Sequence, residues 1–272
     1  MGSRTMISQD KEPSGKPIEE GRPFGERPLG KLIGLILIFI IGFIGAPVLI
    51  ITILSAVRKE QEKADRMQSG SNLKQIWKAM KSYHDSHGHL PPTAAYGKDG
   101  QPLYSWRVLL LPFLGEEDLY SQFRLDEPWD SPNNKPLLAK MPLVYVHPTE
   151  GKPKEPYGTY YQVFVGGGAV FEAGPDNKPL TLRQIDAAQA GLGTANTLLV
   201  IEAANPVPWT KPEDLIYNSD EPLPKLGRFY PEHGYVYLMA DGSVHGTYLG
   251  QPEDSIRAVI PWKGFKPPEG NK

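Results

Sequence analysis

The chain has 272 residues, with 29 Lys and Arg against 31 Asp and Glu, and it contains no cysteine. That length carries one substantial domain plus appendages, and the missing thiol excludes disulfides, thiolate nucleophiles and thiolate metal sites together. A net charge of −2 with no clustered basic patch gives no footing for nucleic acid.

Residues 1–31 are polar, rich in Gly and Pro, and mixed in charge, which reads as a disordered tail. From Leu32 to Val57 the chain then runs without a single charge. As a helix this run spans about 39 Å, enough to cross a hydrocarbon core of about 30 Å with some tilt. A soluble core helix keeps a polar face, and a cleaved secretory signal has a shorter apolar core of about 7–15 residues. The run is therefore predicted to be a single transmembrane anchor, its partner the membrane lipid. Pro47, preceded by Gly45 and Ala46, removes a helix hydrogen bond and is predicted to kink the span or rewind it slightly. Charge does not orient the span: Lys16, Arg22, Arg27 and Lys31 flank one end, and Arg58, Lys59, Lys63, Arg66 and Lys74 the other.

Beyond Arg58 the pattern turns amphipathic. Leu73, Ile76, Trp77, Met80 and Tyr83/His84 recur at spacings of three and four, the stripe of a helix lying on a core. Gly88 and Pro91-Pro92 end it, and Ser69-Gly70-Ser71 is a weak point where a bend is predicted. The proline-punctuated stretch from Thr93 to Pro156 carries short helices at Trp106–Leu114 and Glu116–Phe123. A third follows at Lys135–Lys140, capped from Asp130–Asn134. From Tyr157 the chain turns to β runs, ending in one where Asp241-Gly242 predicts a two-residue type I′ hairpin. Residues 263–272 read as a flexible polar tail, and there is no internal repeat.

Few residues carry chemistry. His84, Asp85, Ser86, His87 and His89 form the densest polar cluster, but a metal needs three or four converging ligands. His84 and His87 share a helix face, while Asp85 points about 100° away, so the cluster reads as a polar helix end. Gly166-Gly167-Gly168 lacks the spacing and following helix of a phosphate loop and reads as a turn between strands. Asp241 is explained by its turn. Glu202 reads as a strand-end acid paired with an Arg, or as a buried, perturbed one. No nucleophile elbow or HExxH motif is present. The expected sets of catalytic, cofactor-binding and metal-ligating residues are therefore empty, and the chain is read as no enzyme.

The strings SNLKQIWKAMKSYHDSHGHLPP (71–92), SWRVLLLPFLGEEDLYSQFRLDEPWDSPNNKPLL (105–138), NTLLVIEAANPVPWTKPEDL (196–215) and ADGSV (240–244) resemble the planctomycete-type family carrying domain of unknown function 1559. The resemblance is colinear from about Arg66 to Leu249. It implies a pilin-like α+β domain over residues 58–262: one transmembrane helix continuing into an amphipathic helix packed on an antiparallel sheet. It also implies an outward-facing domain, periplasmic or extracellular. Three departures stand out. Lys31 follows Gly30 and Leu35 stands where the family's prepilin leader has an aromatic residue and a membrane-embedded Glu, so no prepilin cleavage is expected. His233 lies one step too close to Asp241-Gly242. His147-Pro148 stands where Cys-Pro is common. The first functional reading is a membrane-tethered structural or interaction component of the cell envelope or a secretion-related assembly. The second is a ligand- or glycan-binding module using Trp129, Trp209 and Tyr217. The third is a metal-dependent enzyme built on the histidine cluster.

Overall fold

The structure, a computed structural model, describes residues 28–172, 178–187, 193–230, 234–248 and 250–261. Two compact units divide the chain at Val57/Arg58. The first is the apolar helix. It opens at Pro28, a residue favoured at the first helical position because its missing N–H would be unpaired there anyway. Helix α1 (Pro28–Ile40) passes through a π-helical turn at Ile41–Gly45 into α2 (Ala46–His87). The π turn answers Pro47: Ala46 N–H reaches back to Ile41 O, so the ladder slips by one residue just where proline would clash with a carbonyl one turn earlier. The large apolar side chains from Leu32 to Val57 are exposed, Ile38 at 69% and Phe43 at 71%. One helix is thus long and apolar enough to cross a membrane.

The second unit is α+β. It comprises the outer part of α2, a β1–β2 hairpin (Ala94–Tyr96, Pro102–Ser105), and short helices α3 (Trp106–Leu109) and α4 (Glu117–Tyr120). Strands β3 (Gly158–Gln162) and β4 (Phe164–Val165) follow, then α5 (Leu182–Asp186), β5 (Leu198–Pro208), β6 (Leu215–Ile216), β7 (Val236–Met239), β8 (Val244–Gly246) and α6 (Glu253–Arg257). The main sheet is antiparallel with order β3-β5-β7-β8, while β4 and β6 form a small parallel pair. Leu73, Ile76 and Met80 of α2 are fully buried against Leu199, Val200, Val236 and Leu238, as the three- and four-residue spacing requires. A second apolar cluster, with Leu198, Ile201, Phe164 and Ile256, lies apart from the first. β5 feeds both, which is why its run from Leu198 to Ala203 is buried throughout.

Local expectations were refined in several places. α2 ends where Gly88 takes φ +80° and donates to His84 O at 2.7 Å. It does not break at Ser69-Gly70-Ser71: Ser69 is spent inside the core, and Gly70 faces Val244 of β8. The Asp241-Gly242 hairpin exists, but with a three-residue connection. Gly242 N–H donates to Met239 O and Met239 N–H to Ser243 O, and of the turn residues only Gly242 has positive φ (+88°). That is a type I turn closed by a left-handed glycine, since type I′ would need positive φ at two central residues. Lys135–Lys140 is a 3₁₀ helix without a side-chain cap. Asn134 is buried and clamps the preceding loop instead, accepting from Arg124 N–H and donating to Arg124, Glu127 and Pro128 carbonyls. Gly166–Gly168 forms a turn, with Gly166 N–H bonded to Phe171 O and positive φ at all three glycines.

Candidate functional site

The ionisable groups of greatest interest lie beneath α2. Glu202 sits within β5, opposite Tyr161 of β3, and is 1% exposed. A carboxylate withdrawn from water this far must be fully hydrogen-bonded, and three donors meet it. Ser69 Oγ–H donates to Oε1, His147 lies at 3.0 Å from the same oxygen through Nε2, and Val236 N–H donates to Oε2 at 2.7 Å. Thr149 N–H and Oγ1 occupy the other ring nitrogen of His147. The network therefore assigns the Nε2 proton to the Glu202 side. Phe229 stacks on the imidazole at 3.9 Å between centroids, and Tyr230 OH lies 3.2 Å from Nε2.

The donors continue outward along α2. Ser69 gives its proton to Glu202, so it accepts from Tyr161 OH at 2.9 Å, and Tyr161 OH accepts in turn from Asn72 Nδ2 at 3.4 Å. Every link points toward the one carboxylate, an order in which each bond polarises the next. Burial pushes the Tyr161 and Tyr230 phenols well above their usual range, and the nearby Glu202 charge adds to it.

A second buried pair braces the first. Arg107, at the start of α3, donates to Asp214 at 2.6 Å and to Tyr161 O at 2.8 Å, with its guanidinium over the Trp106 ring. Asp214 also accepts from Trp106 Nε1–H and Val163 N–H. Burial pushes its carboxyl up while Arg107 pulls it back. Tyr161 thus touches both networks, through its hydroxyl and its carbonyl.

Ser69, His147 and Glu202 have the side-chain types of a hydrolytic triad but not its connectivity. The serine proton points at the carboxylate and not at the imidazole, so the histidine is not placed to activate the oxygen. All three are sealed from solvent. The arrangement fastens the helix to the sheet.

The residues singled out in sequence fall elsewhere. His84 Nε2 accepts from Leu182 N–H, His87 stacks on Tyr83, Asp85 pairs with Lys81 at 2.6 Å, and His89 bonds Leu90 O. The Lys81 and His84 contacts hold the Asp85 carboxyl below its usual range. Among the described residues no three His, Asp or Glu side chains converge as metal ligands. Asp241 Oδ1 accepts from Ser243 N–H inside its own turn. Glu202 is not at a strand end and its partner is His147, not an arginine, because the bulged β3·β5 register points it into the core under α2. Trp209 and Tyr217 are core residues, buried at 0% and 3%, and Trp129 packs half-buried against the main core. His233 lies outside the described residues. Arg107 and Asp214 were missed in the sequence, where an arginine inside an apolar run (SWRVLLL) was the available signal.

A family model described as "Protein of unknown function (DUF1559)" matches residues 58–221. The chain belongs to this family. No curated protein and no solved structure matches it. The matched span contains Ser69, Asn72, Arg107, His147, Tyr161, Glu202 and Asp214, whereas Phe229, Tyr230 and Val236, which complete the Glu202 network, lie beyond it.

Proposed function

We propose that this DUF1559 protein is a single-pass, membrane-tethered component of the cell envelope, not an enzyme, whose pilin-like domain works outside the membrane by contact with other proteins. One observation carries the reading. The groups that could do acid–base work, Glu202, His147 and Tyr161, are consumed in holding Ser69 and Asn72 of α2. Their helix is the one that leads out of the apolar run. A carboxylate placed so that three donors exhaust it is built to fasten. The ligand-binding alternative loses two of the three aromatic residues assigned to it, since Trp209 and Tyr217 are inside the core.

Membrane extraction and surface proteolysis test this together. The full chain is expected to stay in the pellet after alkaline carbonate washing, with an intact mass that retains residues 1–30. Protease added to cells with a permeable outer layer should digest the domain after Arg58. Release by carbonate, or a fully protected domain, would overturn it.

A further inference from the structure

The main sheet ends on β8, and among the described residues no strand pairs with its outer edge. Met239 N–H bonds Ser243 O, and Thr247 N–H bonds Tyr235 O, both at 2.9 Å. Backbone bonding in an antiparallel ladder alternates, so Val244 and Gly246 aim their N–H and C=O groups away from β7. Helix α2 runs alongside this strand in the opposite direction: Arg66 meets Gly246, Gly70 meets Val244, and Trp77 meets Gly242. Between helix and strand lies a groove of about 510 Å³. Arg66 and Lys74 line it together with Met67, Val244 and Gly246, and among the described residues no carboxylate does. Arg66 also donates to Thr247 O at 3.4 Å and lies over the Tyr230 ring, while the imidazole of His245, which borders the groove, stacks on Tyr237. Met67 is 70% exposed. Lys74 is exposed as well and joins no ion pair among the described residues.

The spacing of the cations selects an occupant. Arg66 and Lys74 are eight residues apart on one helix, about 12 Å along its axis at about 1.5 Å per residue. An extended chain rises about 3.3 Å per residue and alternates its faces, so carboxylates four positions apart lie on one face about 13 Å from each other. Because the helix follows the strand, a segment added to β8 would run past both cations. We infer that the β8 edge is a docking site for an extended acidic segment of a partner protein. The segment adds as a further strand, bonding Val244 and Gly246 through its backbone and setting two carboxylates, four residues apart, against Arg66 and Lys74. The inference rests on the contact reading above and gives that contact its chemistry.

The test uses the full chain in nanodiscs of zwitterionic lipid, titrated with a fluorescent peptide Thr-Glu-Thr-Val-Thr-Glu-Thr and with the same peptide carrying Lys for Glu. The acidic peptide is expected to bind at least about tenfold tighter than the basic one, and exposed Lys74→Glu, which leaves Arg66 in place, should abolish that preference. Hydrogen exchange at the Val244 and Gly246 amides should slow on binding. Equal affinity for the two peptides would overturn the proposal, and so would tight binding without protection of those amides, which would mark a charge effect alone. Failure of the acidic peptide, with protection appearing instead in phosphatidylglycerol nanodiscs, would assign the groove to lipid and also overturn it. None of these failures touches the tether, which stands or falls on carbonate extraction.

Discussion

Glu202 is the one ionisable side chain in the buried stretch Leu198–Ala203, and its surroundings set what happens when it changes. Glu202→Ala leaves His147, Ser69 and Val236 N–H facing a cavity. Removing one member of a buried polar pair costs about 3–5 kcal/mol, and about 2–4 °C of melting temperature goes with each kcal/mol in a domain of this size. The detergent-solubilised chain should melt about 10 °C lower or more, and a change within about 2 °C would show that the network contributes nothing. The buried tyrosines give a pH signature. Tyr145 and Tyr161 have phenols raised above 10.0 by burial, so the folded state keeps protons that the unfolded chain releases. Their contribution is intact below pH 10 and is lost as pH rises above it, through the folded values. Melting temperature should therefore fall from pH 10 upward while tyrosinate absorbance lags behind that of the urea-unfolded chain. Coincident titrations would refute the burial of these two rings. The sequence flagged Glu202 but not its partner. His147 is 55 residues away and Ser69 is 133 away, and no local pattern encodes a pairing that the sheet register creates.

At the scale of elements, what was legible was what is local. The stripe Leu73, Ile76, Met80 places the face of α2 because side chains three and four apart must share it. Gly88 closes the helix for the same short-range reason. Trp77 belongs to the stripe by spacing yet is only half-buried, at the rim where the hairpin turn meets the helix. Its Nε1–H donates to Ala240 O at 3.2 Å, and its ring lies 2.7 Å from where a Cβ on Gly242 would stand. Two effects thus converge at Gly242, a left-handed backbone and the indole. Gly242→Ala should cost more than the roughly 1 kcal/mol assigned to a strained left-handed residue alone. Combining it with Trp77→Ala should remove the steric share, so the double-mutant cycle is predicted to be non-additive. Strictly additive melting shifts would show that turn and helix do not touch. The turn type was misread because Asp-Gly serves both a two-residue and a three-residue connection. Choosing between them depends on where β7 and β8 pair, which the tryptophan helps to set.

For the whole molecule, the α+β class and the apolar span were both readable, since an uncharged run and an amphipathic stripe are properties of contiguous sequence. The buried braces that close the domain were not, since Arg107 and Asp214 are 107 residues apart. The two units also differ in what holds them. Neither apolar core contains a residue before Leu73, and the helix from Leu32 to Val57 buries none of its large apolar side chains. Such a surface, uninterrupted over several turns, is unfavourable in water by about 25 cal/mol for each Å² exposed and is satisfied by lipid. A chain that begins at Arg58 should therefore lose membrane association and keep its fold. It retains Ser69, Asn72 and every partner of Glu202. The outer turns of α2 before Ser69 will fray, because a helix end without tertiary packing is marginal in water. The expected outcome is a soluble monomer that melts within about 5 °C of the full chain in detergent, about 1–2 kcal/mol at this domain size. Near-ultraviolet circular dichroism should show its buried tryptophans unchanged. Aggregation of the truncated chain, or loss of the near-ultraviolet signal, would show that the apolar helix contributes to the fold of the domain.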